Sequence, residues 1–380
     1  MEKDDAGNQT KFSAVFAELR GNILGGRYAA CRFPSERTLM RRFGVSRTLM
    51  RQVIAGLKVE GLLDSRQGQG TFIPLNAKRM NERLGFIIPG VGHEEIFSPI
   101  CKRLISYSER RGFTPIFADL AGGSPRERHR LVDAAVKRFI AEQVAAVVYQ
   151  PVDFLADSPK INAMFLARFK EMEIPVVLFD YDIVPRPDRS AFDLIGIDNY
   201  NAGWRLGRHL VEKGAKRIAF LMRDNWAFSV IDRRDGLHAA AEEARLKFEV
   251  TSVEPDDAKG VAALLGRRSA PDTVVCGNDL LAVALLKTLR AAGVKVPEDV
   301  MVAGFDDTRV AALSDPPLTT IHQPSDALAR SLFEVLMIRI KNPDLPAVAM
   351  YHNAWLVPRD STARKTLLQR ASQYGITSCE

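Results

Sequence analysis

The chain has 380 residues, 46% of them hydrophobic, and a formal net charge of +7. That length is too great for one ordinary domain and suits two or three, each with apolar residues enough for a sizeable core. The charge is not spread evenly: residues 1–83 hold 15 Lys/Arg against 8 Asp/Glu, while residues 84–380 hold 38 of each. A small basic module on a neutral body is the electrostatic footprint of nucleic-acid binding. A disordered basic tail does not fit, because the same segment carries a regular apolar period. Cys31, Cys101, Cys276 and Cys379 are far apart and show neither zinc nor redox spacing, so no metal or cofactor is expected and the thiols read as reduced packing residues. The opening MEKDDAGNQT is polar and no apolar run reaches membrane-spanning length. The expectation is therefore a cytoplasmic chain with no membrane partner.

In chain order, Phe12, Val15, Phe16, Leu19 and Ile23 recur at helical spacing and predict a helix over 12–24, stopped by Gly25-Gly26. Ser35 is placed to cap a second helix over 36–43, with Glu36 in its first turn and Gly44 at its end. Ser46 is placed to cap a third, whose stripe is Leu49, Met50, Val53, Ile54 and Leu57. Arg47, Thr48, Arg51 and Gln52 are left on its other face. Two short helices joined through Gly44-Val45 make a helix-turn-helix. The runs 62–66 and 71–73 around Gln67-Gly68-Gln69-Gly70 then read as a hairpin wing. A recognition helix of this kind can bring Arg47 or Arg51 to guanine edges or phosphates, and a glycine tip lets backbone N–H groups approach DNA closely. Any one of these arginines is explained by a solvated helix face. The combination of charge, caps and glycine wing is not.

These residues resemble the winged helix of the GntR family: Phe33-Pro34-Ser35-Glu36-Arg37, Phe43-Gly44-Val45-Ser46-Arg47, Arg51, Glu60-Gly61-Leu62 and Arg66-Gln67-Gly68-Gln69-Gly70-Thr71-Phe72. The resemblance implies contacts to double-stranded operator DNA by Arg37, Ser46, Arg47, Thr48 and Arg51, with Gln67 and Gly68 from the wing. Two departures bear on operator choice. Ala29-Ala30 and Phe33 stand where the family has Pro-Gly and Leu, and Leu49 replaces a common Thr, offering a methyl contact instead of a hydroxyl.

Residues 1–75 thus form the head, 76–83 a polar linker, 84–360 the body and 361–380 a tail. In the body short apolar runs alternate with amphipathic helix-length segments. The runs are 84–88, 114–118, 145–149, 175–179, 194–197, 218–221, 273–276 and 300–303. The helical segments include 100–111, 128–142, 202–213, 234–245 and 280–292. This is an α/β pattern of two doubly wound parallel sheets, in which ligands sit beyond the carboxyl ends of the strands. Acids, amides and an arginine gather at those ends, among them Gln150, Asp153, Asp180, Asp198, Asn278 and Asp306. Trp226 lies close by in sequence and offers an aromatic face to a sugar ring. Paired carboxylates also suggest a glycosidase, but nucleotide-binding, serine-hydrolase, zincin and dinucleotide motifs are all missing, so no catalytic residue is assigned.

The body resembles the effector-binding core of the LacI/GalR family, a two-lobed fold related to periplasmic sugar-binding proteins. The motifs that carry this are Ile197-Asp198-Asn199-Tyr200-Asn201-Ala202-Gly203, Lys216–Leu221, Arg233-Arg234-Asp235-Gly236, Gly277-Asn278-Asp279-Leu280-Leu281-Ala282, 296–307 and Pro316–Ile321. The resemblance implies that Arg233, Asn278 and Asp306 contact a small effector, with Ser229 assisting. Phe97, Gln150 and Asp153 are the first-lobe candidates. The family's hinge helix is missing, and a GntR head on a LacI body is similar to the arabinose-repressor arrangement. The expectation is a dimeric repressor, paired through helix 100–111 and the equivalent second-lobe region, whose operator affinity is set by a sugar between the lobes. A nucleobase- or nucleoside-responsive regulator of the same fold is the alternative.

Overall fold

The computed structural model describes residues 2–24, 28, 33–66, 70–73, 82–89, 96–120 and 124–364, with side chains from residue 11 onward. The wing tip with Gln67 and Gly68, most of the 76–83 linker, Cys31, Cys379 and residues 365–380 lie outside these.

In the head, α1 (Glu2–Leu24), α2 (Glu36–Phe43) and α3 (Arg47–Val59) precede the hairpin β1 (Asp64–Arg66) and β2 (Gly70–Phe72). The first helix starts ten residues before its apolar period does, because residues 2–11 carry no apolar stripe to announce it. Ser35 and Ser46 cap as expected, accepting hydrogen bonds from the backbone N–H groups of Thr38 and Leu49. Gly44 closes α2 in the left-handed region at φ 62° and donates its N–H to the Met40 carbonyl. That turn brings α2 and α3 against α1, so that Leu19, Ile23, Leu39, Met50, Val53 and Leu57 share one core. The hairpin is antiparallel, with Ser65 facing Thr71.

The body begins with β3 (Arg83–Ile87), α4 (Phe97–Arg110), β4 (Thr114–Phe117), α5 (Pro125–Ala141), β5 (Ala146–Tyr149), α6 (Ser158–Glu171), β6 (Val176–Phe179) and β7 (Asp193–Ile197). The chain then crosses to α7 (Asn199–Glu212), β8 (Arg217–Leu221), α8 (Phe228–Glu243), β9 (Lys247–Thr251), α9 (Ala258–Leu265), β10 (Thr273–Cys276), α10 (Asp279–Ala291), β11 (Met301–Ala303), α11 (Arg309–Leu313) and β12 (Thr320–His322). It returns to the first lobe for α12 (Ser325–Lys341) and β13 (Ala349–His352), and crosses a third time into β14 (Trp355–Val357). The first sheet has the order β13-β7-β6-β5-β3-β4 and the second β11-β10-β8-β9. Both are parallel throughout, and β12 and β14 form an antiparallel ribbon.

Each large sheet is covered on both faces, so successive strand residues are buried in alternate cores. Ala146 and Val148 of β5 pack with α4 and α12, while Val147 and Tyr149 pack with α5 and α6. Likewise Ile218 and Phe220 of β8 share a core with α7 and α8, and Ala219 and Leu221 with α9 and α10. The fold is thus α/β with two doubly wound parallel sheets behind a winged helix-turn-helix. Three features depart from the apolar-run reading, one of them the edge strand β13, whose residues 349–351 are exposed. The edge strand β9 escapes it, because Lys247 and Val250 are exposed. The ribbon β12–β14 adds an antiparallel element between the parallel lobes.

The helices α7 and α8 are held in backbone contact by two glycines from the sequence motifs. A Cβ on Gly236 would sit 1.9 Å from the Tyr200 carbonyl oxygen, and one on Gly203 2.1 Å from that of Arg233. Neither obstacle is a side chain that can turn aside. Gly236→Ala is therefore expected to destabilise the body by about 3 kcal/mol or more. Gly21→Ala, in α1 with nothing within 4 Å of the added carbon, should be stabilising by up to about 1 kcal/mol. Urea unfolding of the two variants checks both signs.

Candidate functional site: a recognition helix and an interlobe cleft

On α3 the apolar stripe turns inward and the polar face outward. Arg37, Thr48, Arg47 and Arg51 are all exposed. The Glu36 carboxylate stands 3.7 Å from Arg47 Nε and 3.4 Å from Arg51 Nε. Exposed pairs of this kind contribute about 0–1 kcal/mol, so both guanidinium groups are readily yielded to a phosphate or base. Leu49 corrects one expectation. It is buried at 4% exposure in the head core, and no methyl contact to DNA is open to it.

The cleft is organised around Arg233 on α8, which is 5% exposed. Its Nε donates to Asn199 Oδ1 and its Nη1 to the Gly277 carbonyl, both at 2.9 Å. Nη1 also lies 3.6 Å from Asp306 Oδ1, and the guanidinium stacks 3.8 Å from the centre of the Phe305 ring. The glycine contacts that bring α7 to α8 are what put Asn199 within reach. Gln323, just after β12, donates to Asp306 Oδ1 at 2.7 Å. Burial pushes the Asp306 carboxyl up to about 8, with the Arg233 charge opposing and the neighbouring acids Asp279 and Asp180 adding to it.

Across the cleft, Asp180 ends β6 in the left-handed region at φ 74°, and Asp306 does the same after β11 at φ 111°. Such backbone strain collects where a site must hold side chains in fixed directions. Ser229 Oγ donates to Asp180 Oδ2 at 3.2 Å, linking the lobes. Burial raises the Asp180 carboxyl, against the pull of Arg233, Ser229 and Gln150. Gln150 is itself buried, and its Oε1 accepts no hydrogen bond among the described residues. A buried acceptor left in that state costs roughly 1–3 kcal/mol until a donor arrives. Asp153 stands 3.8 Å from Arg128 Nη1.

The other candidates have structural duties as well. Asn278 caps α10 by accepting from the Leu281 N–H. Phe97 opens α4 and sets its ring edge-on to Phe179, 5.8 Å away, at the border of the first-lobe core. The Trp226 ring packs where a side chain on Gly277 would stand, 2.8 Å from the position of its Cβ. Asn199, Phe305 and Gln323 join the cluster although no role was assigned to them from sequence. The first two lie within motifs quoted above. Gln323 has no such signal, because only the fold brings the end of β12 beside Asp306. Among the described residues no group of three or more His, Cys, Asp or Glu is arranged to hold a metal ion. None of the described helices is long and apolar enough to cross a membrane.

Comparison with known proteins matches the two halves separately. Residues 11–73 fit the model for bacterial regulatory proteins of the gntR family, and residues 208–362 that for the periplasmic binding protein-like domain. The chain joins a gntR-type helix-turn-helix head to a periplasmic-binding-protein-like body. The arabinose metabolism transcriptional repressor of Geobacillus stearothermophilus is 25% identical over 367 residues, covering 93% of this chain and 97% of that protein. The transcriptional repressor PurR of Aliivibrio salmonicida is 28% identical over 258 residues, 65% of this chain and 71% of its own length. Among solved structures, the transcriptional regulator CelR in complex with cellobiose superposes with a TM-score of 0.62 at 23% identity, covering 83% of this chain and 91% of CelR. That last likeness is one of fold.

The raised Asp306 carboxyl carries a pH signature. Its folded value lies above the unfolded value of about 4, so the folded state holds a proton the unfolded chain has lost, and stability falls as pH rises from about 4 through about 8. Asp306→Asn, which keeps the shape without the charge, should flatten that decline in melting temperatures recorded from pH 4 to 9.

Proposed function

We propose that this protein is a transcriptional repressor that binds operator DNA through α3 and the wing and releases it when a small sugar occupies the interlobe cleft. The observation that carries the reading is Arg233. It is a buried guanidinium at the meeting of the lobes, fixed by Asn199, Gly277 and Asp306, on the same chain as an exposed basic recognition helix. Fixed donors, buried acids and the open Gln150 acceptor suit the paired hydroxyls of a sugar. Arg233, Asn278, Asp306, Ser229, Gln150, Asp153, Trp226 and Phe97 form its effector set, and Arg37, Ser46, Arg47, Thr48, Arg51, Gln67 and Gly68 its DNA set. No turnover is assigned to it, and it acts in the cytoplasm. Named functions among the similar proteins, arabinose metabolism and repression, support this reading.

Two copies are needed to grip a palindromic operator. The α4 face supplies one part of that contact. The second-lobe surface around α10 and α11 supplies the other, where Leu313 stands 71% exposed beside an apolar hollow lined by Val283, Leu286 and Val310. Effector closure changes the lobe angle and with it the spacing of the heads, and a coupling of about 1–3 kcal/mol alters DNA affinity about 5- to 150-fold.

A thermal-shift screen against pentoses, hexoses, sugar acids and purine bases tests the effector. A sugar at 100 times its Kd should add about 2.7 kcal/mol of stability, and Arg233→Ala should abolish the shift. A purine hit with no sugar hit replaces the sugar reading by the nucleobase one. For the head, DNA selected from random duplexes should bind Arg51→Ala about 1–3 kcal/mol more weakly than the parent chain if Arg51 reads a base, or with a salt slope lower by about 1 if it reads a phosphate. Unchanged binding removes Arg51 from the interface.

A further inference from the structure

The two lobes touch at a second place, away from the hinge. Phe154 of the first lobe donates its backbone N–H to the Asn225 carbonyl of the second at 2.7 Å. Both residues adopt left-handed backbone, Phe154 at φ 67° and Asn225 at φ 52°. Neither is glycine, and two strained residues that meet across a cleft are the kind of over-determined contact found at ligand clamps. The side chains reinforce the contact. The Phe154 ring lies 5.7 Å from the Trp226 ring, and the Arg128 guanidinium lies over it, 6.0 Å from the ring centre, while standing 3.8 Å from Asp153. Trp226 in turn rests against Gly277, whose carbonyl holds Arg233.

We propose that Phe154 and Trp226, latched by the Phe154–Asn225 hydrogen bond, are specificity-determining residues that restrict the effector to a single-ring polyol, a monosaccharide rather than a longer saccharide. The inference rests on the sugar reading of the cleft. Gly277 holds Arg233 by its carbonyl and carries the Trp226 ring against its Cα, so the Trp226–Phe154 pair stands beside a ligand seated on Arg233. A second ring extending that way has to part the two aromatic rings and break the interlobe hydrogen bond. One ring leaves the latch closed and gains the apolar edges of both aromatics as walls.

The test is calorimetric titration of the full chain with D-ribose, L-arabinose, D-xylose, D-glucose and the disaccharide cellobiose, for the parent protein, Phe154→Gly and Trp226→Leu. Phe154→Gly removes the ring and suits the left-handed backbone. Trp226→Leu keeps the latch backbone and supplies the second variant should the first unfold. The expected result is that the parent binds one or more of the monosaccharides at least tenfold more tightly than cellobiose, and that both variants narrow that ratio tenfold or more. Cellobiose binding by the parent as tight as its best monosaccharide overturns the gate and leaves the sugar reading standing. So does a ratio that neither variant moves. Binding of none of these sugars by the parent counts against the sugar reading itself, and the gate falls with it.

Discussion

A buried guanidinium has to be satisfied where it stands, and the cleft is the solution this chain gives to that requirement for Arg233. An arginine at 5% exposure cannot turn to water. Removing it from solvent costs several kcal/mol unless its donors and its charge are met inside. Asn199, the Gly277 carbonyl, Asp306 and the Phe305 ring meet them from three different segments. Those segments are the start of α7, the end of β10 and the loop after β11, all held against α8. The demand of one side chain therefore fixes the relative positions of two helices and two strand ends. The glycine contacts between α7 and α8 are the backbone counterpart of the same arrangement.

The acids follow from this. Asp306 offsets the arginine only in part, since burial raises its carboxyl well above the ordinary range. Asp279, a neighbouring buried acid, is spent on structure. Its oxygens accept from the N–H and hydroxyl of Thr308 and the hydroxyl of Thr320, which ties the start of α10 to the ribbon strand β12. Asp193 is similar in the first lobe, where Arg339 grips it with two hydrogen bonds of 2.7 Å and fastens α12 to β7. Residue type alone does not separate these acids from Asp306. What separates them is whether threonines and arginines of the scaffold have already occupied the oxygens.

That distinction sets the limit of what was legible in the sequence. The caps at Ser35 and Ser46, the buried stripe of α3 and most strands of the two sheets follow from local spacing, which acts over a few residues. Arg233, Asn278 and Asp306 were visible because they sit in runs with family likeness. Gln323 and the latch at Phe154 and Asn225 were not, because each depends on chain segments far apart in sequence meeting at the hinge or across the cleft. Leu49 shows the converse failure. Its place in a motif suggested DNA, but the 3.6-residue period had already assigned it to the core, and the period was the better guide.

The three crossings between lobes also bear on how the molecule is assembled at the ribosome. The head's core runs to Ile73 and, among the described residues, draws on nothing later. The first sheet is different. Its face opposite α5 and α6 is covered by α4 and α12, and its outermost strand is β13; α12 and β13 follow almost the whole second lobe in the chain. At synthesis rates of about 5–20 residues per second, β3 to β7 wait many seconds with an apolar face covered only by α4 and the β7 edge unpaired. The lobe made first is thus completed only after nearly all of the second has been made, and the nascent chain must shelter that surface from its neighbours until α12 and β13 arrive.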